Sequence, residues 1–183
     1  MSKRIPLLIL GLGNLLLEDD GVGGAAVSLL LDRFEPPPGV TVFDGGTLGL
    51  SLLPYIEMAD TVILVDAVRA DDAPGTIVRL DGDDVAPAVA TRLSPHQVGV
   101  ADLLDGAHWL GRYPNRVLLL GLVPESIELG VGLSPRVRAS LPRLVEHIVH
   151  EANGLGFVFE ARDNEDALDR DEMLNVARLA GMQ

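Results

Sequence analysis

The sequence predicts an α/β fold built on a mostly parallel sheet with helices on both faces. Two patterns predict it. Strand-length apolar runs alternate with segments of helical periodicity along most of the chain. One run, Arg116 to Leu122, is apolar throughout its middle, as a parallel strand buried on both faces must be. Right-handed crossovers between parallel strands then distribute the helices to both sides. A length of 183 residues suits one domain with a full core.

In order, Ile5 to Leu10 reads as the first strand. Val22, Ala25, Ala26, Leu29 and Leu30 give the stripe of an amphipathic helix, which Pro36-Pro37-Pro38-Gly39 stops. Val40 to Phe43 is the second strand, ending at Asp44-Gly45-Gly46-Thr47, and a helix follows from about Leu48 to Met58. Thr61 to Val65 is the third strand, with Asp66 at its end. Pro74-Gly75 turns the chain into a fourth strand, Thr76 to Leu80, and this short return predicts antiparallel pairing. Residues 81 to 93 read as loop with at most one helical turn.

Ser94-Pro95-His96-Gln97 opens a third helix that runs to about Leu110, and Arg116 to Leu122 is the fifth strand. Ser134-Pro135 is an N-cap with proline at the first helical position. Val137, Leu141, Leu144, Val145 and Ile148 form the buried face of that last helix, Pro142 is expected to kink it, and Gly154 fits just past its end. The domain is read as residues 1–156, and residues 157–183 as an acidic tail with a helical pattern at Met173, Val176, Ala177 and Ala180.

Composition narrows the function. There are no cysteines, which removes disulfides, thiolate metal sites and cysteine nucleophiles. A net charge of −13 repels nucleic acid phosphates and anionic membranes, so neither is expected as a partner. The longest apolar runs fall far short of the roughly 20 residues that span a bilayer. The short run after Lys3-Arg4 ends in Gly-Leu-Gly-Asn and acids rather than a cleavage site, so a cytoplasmic protein is expected.

Ligands of open α/β sheets bind beyond the carboxyl ends of the strands. Asp20 follows the first strand, Asp44 ends the second and Asp66 ends the third. If these strands are neighbours, the three carboxylates converge on one edge, where His96, in a loop at a helix start, would join them. Two carboxylates and an imidazole suit a divalent metal with positions left open, and a cation would relieve their repulsion. Taken singly, each aspartate reads more readily as a cap or turn residue, and His96 equally as a first-turn surface residue. Glu18 and Asp19 read as solvated first-turn acids favoured by the helix dipole.

The rival is a nucleotide site, since Gly11-Leu12-Gly13 follows a strand and an acid ends the next one. Leu16 stands where the third glycine belongs, and Glu18-Asp19-Asp20 precede the helix where a pyrophosphate needs bare amides. A serine hydrolase lacks its G-x-S-x-G motif.

The blocks GLGNLLLEDDGVG, FDGGTLG, LVDAV, SPHQVG and GLVPES, in that order, resemble the hydrogenase maturation proteases, from about Ile5 to Glu146. These endopeptidases remove the C-terminal extension from the large subunit of [NiFe] hydrogenases. The resemblance implies a three-layer α/β/α sandwich with a five-stranded mixed sheet in order 2-1-3-5-4, strand 4 antiparallel. It implies Asp20, Asp66 and His96 as metal-binding residues. Asp44-Gly45-Gly46-Thr47 would serve substrate recognition or catalysis, with Asp44 the candidate general base and Gly45, Gly46 and Thr47 binding the substrate peptide. The nickel would be supplied by the large-subunit precursor, the expected partner, and no nucleotide is required. Metal polarisation of the scissile carbonyl or activation of water is the chemistry implied. A nickel-sensing chaperone that escorts the large subunit without cutting it is the alternative, because no standard protease dyad or triad is visible.

Overall fold

The computed structural model describes residues 4–90 and 100–162. Five strands form the main sheet: β1 (Ile5–Leu12), β3 (Val40–Gly46), β4 (Ala59–Ala67), β5 (Ile77–Asp81) and β6 (Arg116–Leu122). Their order is β3-β1-β4-β6-β5. Three of the four pairings are parallel, and β5 runs antiparallel to β6, as the short Pro74-Gly75 return predicts.

The strand side chains alternate between two cores. Leu8, Leu10, Val62, Leu64, Val117 and Leu119 face a layer made by α2 (Leu53–Met58), α3 (Val85–Ala90) and α4 (Val100–Trp109). Leu7, Ile9, Ile63, Val65, Leu118 and Leu120 face α1 (Val22–Arg33) and α5 (Pro135–Gly154). The result is a three-layer α/β/α sandwich. Burying both sheet faces explains why β1, β4 and β6 are continuous apolar runs rather than alternating ones.

Several elements depart from the sequence reading. Residues 82–90 carry a 3-10 turn, Gly82–Asp84, and then α3, where a loop with one helical turn is expected. Gly154 is the last residue of α5 rather than lying beyond it. Ser134 caps it by accepting a hydrogen bond from the Val137 amide. A two-stranded antiparallel ribbon, β2 (Phe34–Glu35) with β7 (Glu160–Ala161), has no sequence signal. Phe159, 7% exposed, meets Phe34 edge-to-face there, and the Arg162 amide donates to the Arg33 carbonyl.

The buried face of α1 also differs. Gly23, Gly24 and Val27 are buried, whereas Ala25 is only partly so. A β-carbon on Gly23 would lie 2.2 Å from the Val65 carbonyl oxygen and 2.3 Å from that of Leu12. Only glycine lets the first turn of α1 rest on the β1–β4 seam. That close approach brings the loop ahead of α1 over the carboxyl ends of the strands, where the candidate acids lie.

Candidate functional site

The loop after β1 is built around Gly13, with φ of +117°. A β-carbon there would lie 1.7 Å from the Asp20 carbonyl oxygen and 3.6 Å from Asp66 Oδ1. The Asp20 backbone and the Asp66 carboxylate therefore meet at Gly13, at the carboxyl edge of the sheet. Asp20 Oδ2 accepts from the Asn14 amide at 2.7 Å. Asp20 Oδ1 accepts no hydrogen bond from the described residues. Asp66 is 4% exposed, and its Oδ1 accepts from the Ala67 amide at 2.9 Å.

Asp44 sits on the neighbouring strand and is exposed. Pairing between β1 and β3 skips Gly45, from Gly11–Asp44 to Leu12–Gly46. This bulge re-aims the end of β3. Asp44 Oδ1 accepts from the Gly46 amide at 2.8 Å, and its Oδ2 lies against Gly24 in the first turn of α1. Gly46 in turn accepts the Gly13 amide at 3.3 Å, so the Asp44-Gly45-Gly46-Thr47 segment is tied directly to the Gly13 turn. Gly45 is buried and Thr47 exposed.

His96 lies outside the described residues. Among the described residues, no three His, Cys, Asp or Glu side chains form a group able to hold a metal ion.

Asp19 overturns the expectation of a solvated acid. It is 0% exposed. Its Oδ2 accepts from the amides of Glu125 (2.8 Å) and Ser126 (3.1 Å), and its Oδ1 from that of Ser134 (2.7 Å). The Asp19 amide donates to the Ser126 carbonyl, and the Glu18 amide to that of Gly130. Glu18, at φ +44°, takes the left-handed backbone that lets its neighbour turn inward. A carboxylate with three backbone donors is a strong clamp in a buried setting. Asp19 thereby pins the loop after β6 and the start of α5 against the segment that carries Asp20.

The amides of the glycine turn are already engaged. Gly13 donates to Gly46, Asn14 to Asp20, Leu16 to Asn14 Oδ1 and Leu17 to the Asn14 carbonyl. A phosphate cradle needs those donors free, so the nucleotide reading has no support here.

The rim of the site is apolar. Leu15 and Leu16 from the loop after β1, Leu48 and Leu50 from the loop after β3, and Leu129 and Val131 from the loop after β6 are all exposed, the last two by 83% and 86%. The first and third of these loops are joined by a bridge between Leu17 and Gly130. Each of the three loops that follow these strands thus presents exposed apolar side chains.

Comparisons with known proteins bear on the family and the fold. The family model described as hydrogenase maturation protease matches residues 25–151. The chain is 38% identical over 144 residues to the hydrogenase 2 maturation protease of Escherichia coli strain K12, covering 78% of this chain and 88% of that relative. It is 40% identical over 161 residues to the hydrogenase expression/formation protein HoxM of Azotobacter vinelandii, covering 87% and 78%. The structure of the hydrogenase maturating endopeptidase HybD from E. coli superposes with a TM-score of 0.81 at 35% identity, over 86% of this chain and 98% of that one. The [NiFe] hydrogenase maturation protease HybD from Thermococcus kodakarensis superposes with a TM-score of 0.62 at 27% identity, over 80% and 99%.

Proposed function

The chain belongs to the hydrogenase maturation protease family, and on that premise we propose that it removes the C-terminal extension from an [NiFe] hydrogenase large-subunit precursor after nickel insertion. Asp20, Asp66 and His96 contact the nickel that the precursor carries, and Asp44 is the candidate general base.

The Gly13 turn, where the Asp20 backbone meets the Asp66 carboxylate, supports the assignment of the site. Each carboxylate is oriented by a neighbouring amide, Asp20 by Asn14 and Asp66 by Ala67. Their negative charge suits a cation held by another protein, and the apolar rim suits a protein substrate rather than a small molecule. The bulge at Gly45 leaves glycine backbone beside the carboxylates, where a peptide approaches closely. A bound metal supplies Lewis acidity toward a carbonyl or water. Asp44, held by Gly46, would take the proton from the attacking water.

The test uses purified protein with nickel-loaded and nickel-free large-subunit precursor, followed by intact mass spectrometry. Loss of the extension from the loaded form only is the expected result. An unchanged mass in both would sink the reading and leave the escort role. Asp20→Ala, Asp66→Ala and His96→Ala should each abolish processing while the circular dichroism spectrum stays intact. Normal processing by all three would remove the site assignment while leaving the activity.

A further inference from the structure

Beside the candidate site, the ends of β4 and β6 separate and leave a cleft of about 230 Å³. The last bond between them joins the Val68 amide to the Leu122 carbonyl. The chain then swings out through Arg69 and returns where Gly75 donates to Val123. Val123, Pro124 and Ile127 supply apolar wall, Ser126 and Glu125 polar edges, and Arg69 lies across from them. The far wall is rigid, because Asp19 holds the amides of both Glu125 and Ser126 from beneath.

The volume is smaller than the roughly 300–1,000 Å³ of small-molecule pockets and fits one side chain or one chain end. Its charge balance is specific. The chain carries 27 acids against 14 lysines and arginines. Arg4, Arg79, Arg112, Arg116 and Arg162 are paired with carboxylates, whereas Arg33, Arg69 and Arg143 are exposed and make no ion pair with the described residues; of these three, Arg69 is the one that lines the cleft. Arg69 is exposed and makes no ion pair or hydrogen bond with the described residues, even though Asp71 and Asp72 follow it closely. Glu125, the cleft's own acid, is already matched with Arg136 at 3.5 Å. The unmet charge in the cleft is therefore positive. It belongs to the side chain best shaped to grip a carboxylate with two parallel hydrogen bonds. Arg69 lies three residues past Asp66, so whatever fills this cleft is held beside the candidate site.

We propose that this cleft is a substrate subsite in which Arg69 grips a carboxylate of the precursor's C-terminal segment, and that this contact selects which precursor is processed. The inference rests on the endopeptidase reading. The carboxylate is either an acidic side chain near the scissile bond or the terminal carboxylate of the extension. The apolar walls would cover the methylenes or backbone that carry it.

The test measures processing of nickel-loaded precursor by the wild type, Arg69→Ala, Arg69→Lys and Arg69→Glu, with Arg143→Ala, an exposed arginine on α5, as control. Melting temperatures confirm folding. Arg69→Ala should raise KM about ten- to a hundredfold with kcat within about twofold, the loss of one charge-assisted contact. Arg69→Lys should recover only part of this, and Arg143→Ala should match the wild type. A second arm changes each acid of the precursor extension to its amide and, separately, appends residues to its C-terminus. One of these precursors should be as poor for the wild type as normal precursor is for Arg69→Ala, with no further loss when both changes are combined. An amide identifies a side-chain carboxylate, and the appended precursor identifies the terminal one. Equal KM for the wild type and all three Arg69 variants, or penalties that simply add, would overturn the subsite while leaving the protease intact. Failure of the wild type to process any precursor would instead overturn the activity, and the subsite with it.

Discussion

The Asp19 carboxylate accepts a hydrogen bond from the Ser134 backbone amide at 2.7 Å, across a sequence separation of 115 residues. The same carboxylate holds Glu125 and Ser126. One buried side chain thus fixes the loop after β6 to the loop after β1, next to Asp20. Asp19→Ala would orphan three amides, at about 1–3 kcal/mol for each buried unsatisfied group. The expected loss in urea unfolding is about 3 kcal/mol or more. Asp19→Asn keeps one acceptor oxygen and should fall between. A loss below about 0.5 kcal/mol, the range of ordinary surface changes, would show that the clamp contributes little.

That role was not legible in the sequence, and the reason is physical. Glu18, Asp19 and Asp20 are adjacent acids in one turn, and only the turn's geometry decides which points inward. Asp19 is satisfied by backbone amides, so no partner side chain exists for a sequence reading to find. The sheet, by contrast, was legible because burial on both faces forces continuous apolar runs, and Arg116–Leu122 is the strand that its composition predicts. The stripe on α1 is only partly legible because Gly23 and Gly24, both buried, carry no hydrophobic signal. Asp20 and Asp66 were legible as candidates because strand ends in a parallel sheet have a known address.

The glycine contact gives a contrast between two substitutions. Gly23→Ala would drive a methyl to 2.2 Å from the Val65 carbonyl, which is backbone and has no rotamer to yield. Overpacking of this kind costs typically about 1–3 kcal/mol, and α1 would have to shift off the seam, moving Asp20 with it. Gly154→Ala at the exposed end of α5 meets nothing within 4 Å. It should stabilise by about 0.4–1 kcal/mol through the unfolded chain. Thermal melts of the two variants check this, and equal behaviour would refute the packing argument.

The far edge of the sheet carries a pH-dependent ion cluster. Arg79 holds Glu151 through two bonds, 2.5 and 3.1 Å, and Arg116 holds Asp81 at 2.6 and 3.3 Å. The hydrogen bond from Arg79 holds the Glu151 carboxyl below its ordinary value of 4.5. The bond from Arg116 does the same for Asp81, whose ordinary value is 3.8. A carboxyl depressed in the folded state contributes stability that is full above its ordinary value and is lost as pH falls through the depressed one. Glu151→Gln should therefore lower the melting temperature at neutral pH, with the gap to the wild type closing as the pH drops below 4.5. Arg79 is 40% exposed, so the gap is modest and should shrink in high salt. A gap independent of pH would remove the ion pair as its cause.

Asp44 separates a chemical role from a turn role. Its Oδ1 accepts the Gly46 amide at 2.8 Å, which an asparagine oxygen also does. Asp44→Asn should therefore fold normally and keep the bulge at Gly45. An amide cannot accept a proton from water as a carboxylate does. If Asp44 is the general base, kcat on nickel-loaded precursor falls by about 10²–10⁴-fold with KM little changed. If it only shapes the end of β3, Asp44→Asn processes at the wild-type rate, whereas Asp44→Ala, which loses the Gly46 bond, raises KM and lowers the melting temperature together. Both variants on one precursor decide between the two roles, because only the chemical role separates kcat from stability.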